Sequence, residues 1–232
     1  MITKLSEIWP SVERVARAEG VLRVGASDLD DDHGTLFDEW LDRGHHATMR
    51  YLAKTADIRR NPSARFPWAK SAIAILVPYS SARPEARAGA LSHHIARYAL
   101  GDDYHDVLDR ILRKIEAEVA PYGKTWRYVD TGPLSDRALA THAGLGWIAK
   151  NAMLINEQIG SYTFIGTLLT ALENDIAPNV VADRCGTCTR CLDACPTHAI
   201  LPNRTVASEH CISYATIEHR GELPDIPLAS NA

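Results

Sequence analysis

Ser71-Ala72-Ile73-Ala74-Ile75-Leu76-Val77-Pro78-Tyr79 is nearly all apolar and β-branched at its centre, and such a run fits a strand covered on both faces. Outward from it, Val21 to Ala26, Lys124 to Asp130 and Ser161 to Thr170 also read as strands. Helical stripes lie between them. Leu5, Ile8, Trp9, Val12, Val15 and Ala16 share one face over residues 4–18, which Gly20 ends; Val107, Leu108, Ile111, Leu112, Ile115 and Val119 share another. Leu36, Phe37, Trp40 and Leu41, then Met49, Tyr51 and Leu52, mark two further helical stretches, and Leu134 to Ala143 one more. Strands alternating with helices predict an α/β (α+β) body.

The chain has 232 residues, 46% hydrophobic and 23% charged, enough for one sizeable core and a small appended module. No window approaches the roughly 18 unbroken apolar residues of a membrane span, so no membrane association is expected. A net charge of -4 gives no global attraction to nucleic acid; such a contact requires a local basic patch. Glu173 to Asn179 reads as a boundary, dividing the chain into a body, 1–178, and a module, 179–232.

The module carries Cys185-Gly-Thr-Cys188-Thr-Arg-Cys191-Leu-Asp-Ala-Cys195-Pro196. In a Cys-x2-Cys-x2-Cys-x3-Cys-Pro run, three thiolates wrap one 4Fe-4S cube and the fourth serves a second cluster. Zinc is the competing reading, but closed zinc sites use paired Cys-x2-Cys units or histidines at set spacing. Disulfides fit less well: no secretory segment is visible at Met1 to Leu5, the cysteines crowd one end and their count is odd, all of which favours a reducing cytoplasm. Cys211 is a further ligand candidate because the fourth thiolate needs partners. Gly186 is read as letting backbone approach the cluster, and Pro196 as leading into a short helix over Thr197 to Ile200.

Other segments carry polar groups with two readings each. Arg59-Arg60-Asn61-Pro62 breaks a helix and leaves two guanidinium groups in a loop, solvated or facing an anionic or cofactor ligand. His94 to His105, polar and aromatic, is a site wall or an N-cap with a surface loop. Asp130 ends a strand before a turn and helix, where capping is the favoured reading and ligand contact the alternative. Gly144-Leu145-Gly146-Trp147 lacks the third glycine of a dinucleotide loop.

Val129-Asp130-Thr131-Gly132-Pro133, Ala143 to Asn151, the cysteine run with Pro196 to Ile200, and Cys211 to Glu218 together resemble the epoxyqueuosine reductase family, in its order and across nearly the whole chain. The resemblance implies a cobalamin-dependent reductase, related in its core to reductive dehalogenases, that removes the epoxide oxygen from epoxyqueuosine in transfer RNA to give queuosine. Electrons from an external donor pass through two 4Fe-4S clusters to cobalt. Asp130 matches the general acid of the family's Asp-x-x-Pro motif, a role that requires a carboxyl pKa raised by burial. Arg60, Tyr98, Asp130, Lys150 and Asn151 fall on segments that line the family's cobalamin pocket, and amides from Gly144 to Trp147 are expected to serve the corrin's amide arms. Ala149 stands where the family has glycine. Cys185, Cys188 and Cys191 are implied for the first cluster, Cys195 and Cys211 for the second, in a cytoplasmic monomer.

One departure is chemical. Two cubes held by protein thiolates need four each, and this chain has five cysteines. The family's second cysteine run is expected after Glu222-Leu223-Pro224, where the sequence instead continues to Ala232; the chain thus reads as a shortened member without the helical-repeat extension that helps hold transfer RNA. Two alternatives follow from the same residues: an electron-transfer protein without catalysis, and a reductive dehalogenase relative, the latter disfavoured by the absence of a twin-arginine signal.

Overall fold

The computed structural model describes residues 2–29, 34–79, 95–177, 179 and 181–226. His94, Pro178 at the expected boundary, and the last six residues lie outside them.

The body is built on a four-stranded sheet of β1 (Arg23–Ser27), β2 (Ser71–Pro78), β3 (Thr125–Val129) and β6 (Thr163–Thr170), in the order β1-β2-β6-β3. Every neighbouring pair is antiparallel, which places the body on the α+β side of the expected class. β2 is buried over its first six residues. Its alternation sorts two layers: Ile73 and Ile75 pack with Leu108, Leu112, Ile115 and Leu168, while Ala72, Ala74 and Leu76 face the opposite side.

On the first side lie α1 (Trp9–Ala18) and α5 (Tyr104–Val119). α5 buries the expected stripe of Leu108, Ile111, Leu112, Ile115 and Val119. Helix α1 starts later than its pattern implied, because Pro10 enters at its first turn, where a missing N–H costs nothing, and Leu5–Glu7 forms a separate 3-10 turn. On the other side lies α6 (Asp136–His142); the alanines on that face of β2 let the helix approach closely.

Helices α2 (Gly34–Asp42), α3 (Arg50–Lys54) and α4 (Ala56–Arg60) follow β1. Arg59 and Arg60 form the last turn of α4 rather than a loop. The proline acts on the residue before it, Asn61, whose φ of -137° and ψ of 87° leave the helix, so both arginines remain inside it.

A short ribbon, β4 (Trp147–Ile148) with β5 (Leu154–Ile155), leads toward the module. There α7 (Arg190–Asp193) sits inside the cysteine run. The helix expected over Thr197 to Ile200 is absent: His198 has φ +50°, and Ile200 bridges Val206. Among the described residues no helix is long and apolar enough to cross a membrane.

Candidate functional site

Asp130 ends β3 at φ +57°, a left-handed backbone that an aspartate tolerates better than most residues. The turn is tight, with the Thr131 amide 2.6 Å from the Val129 carbonyl. It throws the carboxyl outward, where the Tyr104 hydroxyl donates to it at 3.0 Å and His105 Nε2 stands at 3.7 Å. The capping expectation is therefore corrected. Ser135, not Asp130, sits at the start of α6, and the carboxyl caps nothing because five residues of turn separate it from the helix. The N-cap of α5 is Asp103, which accepts from the His105 amide at 2.9 Å.

An aromatic chain leads to this carboxyl. Tyr162 meets Tyr79 edge-on, Tyr79 meets Phe164, and Phe164 stacks on Tyr104 with centroids 4.5 Å apart and planes 8° from parallel. The Arg97 guanidinium lies over Tyr162. Burial, and then the charge of Asp130, raise the pKa of Tyr104, so it remains a hydrogen-bond donor. With Tyr98 and Tyr162 two-fifths exposed, the result is an open aromatic shelf beside an acid.

The Asp130 side chain is 65% exposed rather than buried as its expected role requires. The acid whose pKa burial raises is its neighbour. Half-buried Asp136 is pushed up to about 7, chiefly by lost hydration; the Tyr128 hydroxyl bonded to it pulls the other way, and the charge of Asp130 raises it further. Arg59 and Arg137 are both electrostatic neighbours of Asp136, and the Arg59 guanidinium donates to the Leu134 carbonyl at 2.9 Å.

Sequence reasoning chose Arg60, which instead pairs with Asp38 at 2.7 Å and Asp57 at 2.6 Å on the outer face of α4. Lys150 and Asn151 are also engaged elsewhere. The Lys150 ammonium donates to the Gly186 and Cys188 carbonyls at 2.7 and 3.0 Å, and Asn151 accepts from the Met153 amide. Of the five expected cofactor contacts, Tyr98 and Asp130 are the two gathered about Tyr104. Two of the four amides expected to serve a corrin are occupied: those of Gly144 and Leu145 bond the Thr141 and Ala140 carbonyls. Gly144, at φ +72°, is required because a Cβ would strike the Asn179 backbone.

Tyr104 and His105 belong to the segment read as a candidate site wall, and Arg59 to the two-guanidinium segment, whereas Asp136 is not singled out. Arg59 and Arg60 differ only in helical phase, and Asp136 lies unmarked at the start of the helix over Leu134 to Ala143. A second cleft, about 380 Å³, is lined by Thr48, Met49, Tyr51, Glu218 and Arg220; Tyr51 is an electrostatic neighbour of both Glu218 and Asp130.

All five cysteines are free thiols, four of them half-buried and Cys188 exposed. Gly186 takes φ +46°, and the position of a Cβ there is open, so backbone conformation rather than crowding by the chain selects glycine. The donor set of closely spaced thiols in one loop fits an iron–sulfur group.

Residues 59–131 match the family model described as Epoxyqueuosine reductase QueG, DUF1730, and residues 184–230 the model of a 4Fe-4S double cluster binding domain. Epoxyqueuosine reductase of Gloeobacter violaceus is 40% identical over 92% of this chain and 67% of its own length. The Synechocystis protein of that name is 39% identical over 87% and 69%, and that of Pseudomonas aeruginosa 34% identical over 92% and 61%. An epoxyqueuosine reductase crystallised with an epoxyqueuosine-modified tRNA stem loop superposes with a TM-score of 0.79 at 32% identity, over 96% of this chain and 60% of that one. A catabolic reductive dehalogenase shares the fold at a TM-score of 0.50 and 16% identity, over 82% of this chain and 25% of that one. The chain thus spans about 60–69% of the length of these epoxyqueuosine reductases. Its cysteine module is that of a 4Fe-4S protein and its body is continuous with theirs in sequence and fold; the chain belongs to the epoxyqueuosine reductase family.

Proposed function

We propose that this chain carries the catalytic core of an enzyme that reduces epoxyqueuosine in transfer RNA to queuosine, in the cytoplasm, as a monomer fed by an external electron donor. Removing an epoxide oxygen to leave a carbon–carbon double bond consumes two electrons and two protons and releases water. In this reading the iron–sulfur module, residues 179–232, delivers the electrons and the body, residues 1–178, delivers a proton. Cys185, Cys188 and Cys191 hold the first cluster, and Cys195 and Cys211 contribute to the second.

The observation that carries the reading is the setting of Asp130. Its carboxyl projects from the sheet end on a left-handed backbone, is steadied by the Tyr104 hydroxyl, and otherwise faces outward. A carboxyl so placed is open to a ligand that seats on the end of the sheet. Tyr104 keeps it aimed, and Asp136, pushed up to about 7 chiefly by burial, is a second acid at this end of the sheet.

The aromatic shelf fits a broad, flat group better than a small enclosed one. Cobalamin is such a group, and when bound it supplies low-valent cobalt for carbon–oxygen cleavage. Tyr98 and Asp130 are the residues of this chain that would flank it, with Tyr104 and Tyr162 continuing the surface. Arg60, Lys150 and Asn151 would reach it only by leaving the partners that their polar groups have within the chain.

The test is anaerobic turnover with cobalamin, a reductant and epoxyqueuosine-containing transfer RNA. Queuosine is expected from the wild type, and Asp130→Asn is expected to lose a factor of about 100 or more, the usual contribution of a positioned acid. Equal queuosine from both forms removes Asp130 as proton donor. Failure of the chain to bind cobalamin favours the electron-carrier alternative.

A further inference from the structure

The turn between β4 and β5 is fastened at both ends. From α6, the Arg137 guanidinium reaches the Ala152 carbonyl, beside the Asp136 cluster. From the turn itself, Lys150 reaches into the cysteine module and takes two carbonyls, those of Gly186 and Cys188. The module answers with Arg204, which bonds both the Ile148 carbonyl on β4 and the Asp183 carboxylate. Asp183 in turn accepts from the Cys185 amide at 2.7 Å. The loop from Cys185 to Cys188 is therefore gripped by two cations and a carboxylate, and closed on itself by the Cys188 amide on the Cys185 carbonyl at 2.9 Å.

The grip has a geometric consequence. A trans peptide points its C=O and the following N–H in opposite directions, and no cis bonds occur among the described residues. With the Gly186 and Cys188 carbonyls drawn toward the ammonium, the N–H groups of Thr187 and Thr189 face the other way. Neither amide has a partner among the described residues. Amides directed at the sulfurs of a cluster, and cationic charge close to it, both make it easier to reduce.

We propose that Lys150 is a positioning residue of the first-cluster loop. By holding two carbonyls it pre-forms the loop and aims the Thr187 and Thr189 amides at the thiolate side, so setting how readily an iron–sulfur group there accepts an electron. The proposal rests on the iron–sulfur reading of the cysteine run. It assigns Lys150 to electron delivery rather than to the corrin.

Two readouts test it on the full chain, with Lys150→Met and Lys150→Arg beside the wild type. In the metal-free chain, Lys150→Met should speed hydrogen exchange at the Cys185 and Cys188 amides several-fold, as expected for a lost charged anchor, and Lys150→Arg should restore much of the protection. In the reconstituted chain, the midpoint potential of the cluster should shift negative in Lys150→Met and return toward wild type in Lys150→Arg. Unchanged exchange in Lys150→Met overturns the positioning role. A wild type that takes up no iron removes the cluster reading instead, while the exchange comparison still decides whether Lys150 holds the loop.

Discussion

In the sheet body, Ile73, Leu108, Leu112, Ile115 and Leu168 are wholly removed from water. In the module, residues 181–226, the buried apolar side chains among the described residues are Ala199, Ala207, Tyr214 and Ala215. A segment with so little apolar burial offsets little of the entropy of ordering its backbone. What orders it is polar: the Lys150 and Arg204 grips, the Trp40 indole on the Val206 carbonyl at 2.7 Å, and Thr48 on the Tyr214 hydroxyl at 2.6 Å. The contrast teaches that the two regions answer to different perturbations. The body should respond to cavities, and the module to loss of metal, whose binding energy is folding energy in small cysteine-rich units.

The largest expected effect breaks the body alone. Leu112→Ala removes a fully buried side chain between α5 and the sheet and should cost about 2–5 kcal/mol in denaturant unfolding. Leu192→Ala, at a half-buried position on the short helix of the cysteine run, should cost under about 1 kcal/mol in the same measurement. Similar losses at the two sites would abolish the distinction drawn between the regions.

A smaller effect isolates the acid cluster of the body. Asp136 binds its proton more tightly folded than unfolded, because its pKa rises to about 7 from an ordinary value near 4. Its contribution to stability is therefore full below about pH 4 and is lost as pH rises through about 7. Allowing for partial solvation, the span is on the order of 2 kcal/mol. Asp136→Asn should flatten the stability profile between those limits, read by chemical denaturation at a series of pH values. A profile that keeps its slope in the variant would mean that another group titrates there.

The same contrast explains what was legible in the sequence. Period-two and helical patterns are written by burial, so Ser71 to Pro78 and the α5 stripe emerge as expected. Site placement depends instead on helical phase and on which polar partner wins. Neighbours Arg59 and Arg60 diverge because Asp38 and Asp57 capture the second. Asp130 escapes the role of cap because its left-handed turn leaves α6 to begin later. Gly144 proves to be a backbone contact rather than a ligand cradle because Asn179 closes on it from beyond the boundary, a long-range fact that no local pattern contains. The cysteine spacing was readable because a cluster's geometry imposes spacing on the chain itself.

The central claim is that these thiols hold iron–sulfur groups that feed reduction at the Asp130 end of the sheet. Its most direct test is iron, sulfide and zinc quantitation on the 232-residue chain after anaerobic reconstitution, with electron paramagnetic resonance of the reduced sample. The account predicts iron and sulfide in equal amounts, no more than about four of each per chain, as five thiols can complete one cube but not two. Stoichiometric zinc in place of iron would contradict the cluster reading, and about eight irons per chain would contradict the claim that the ligands present here are too few for both clusters.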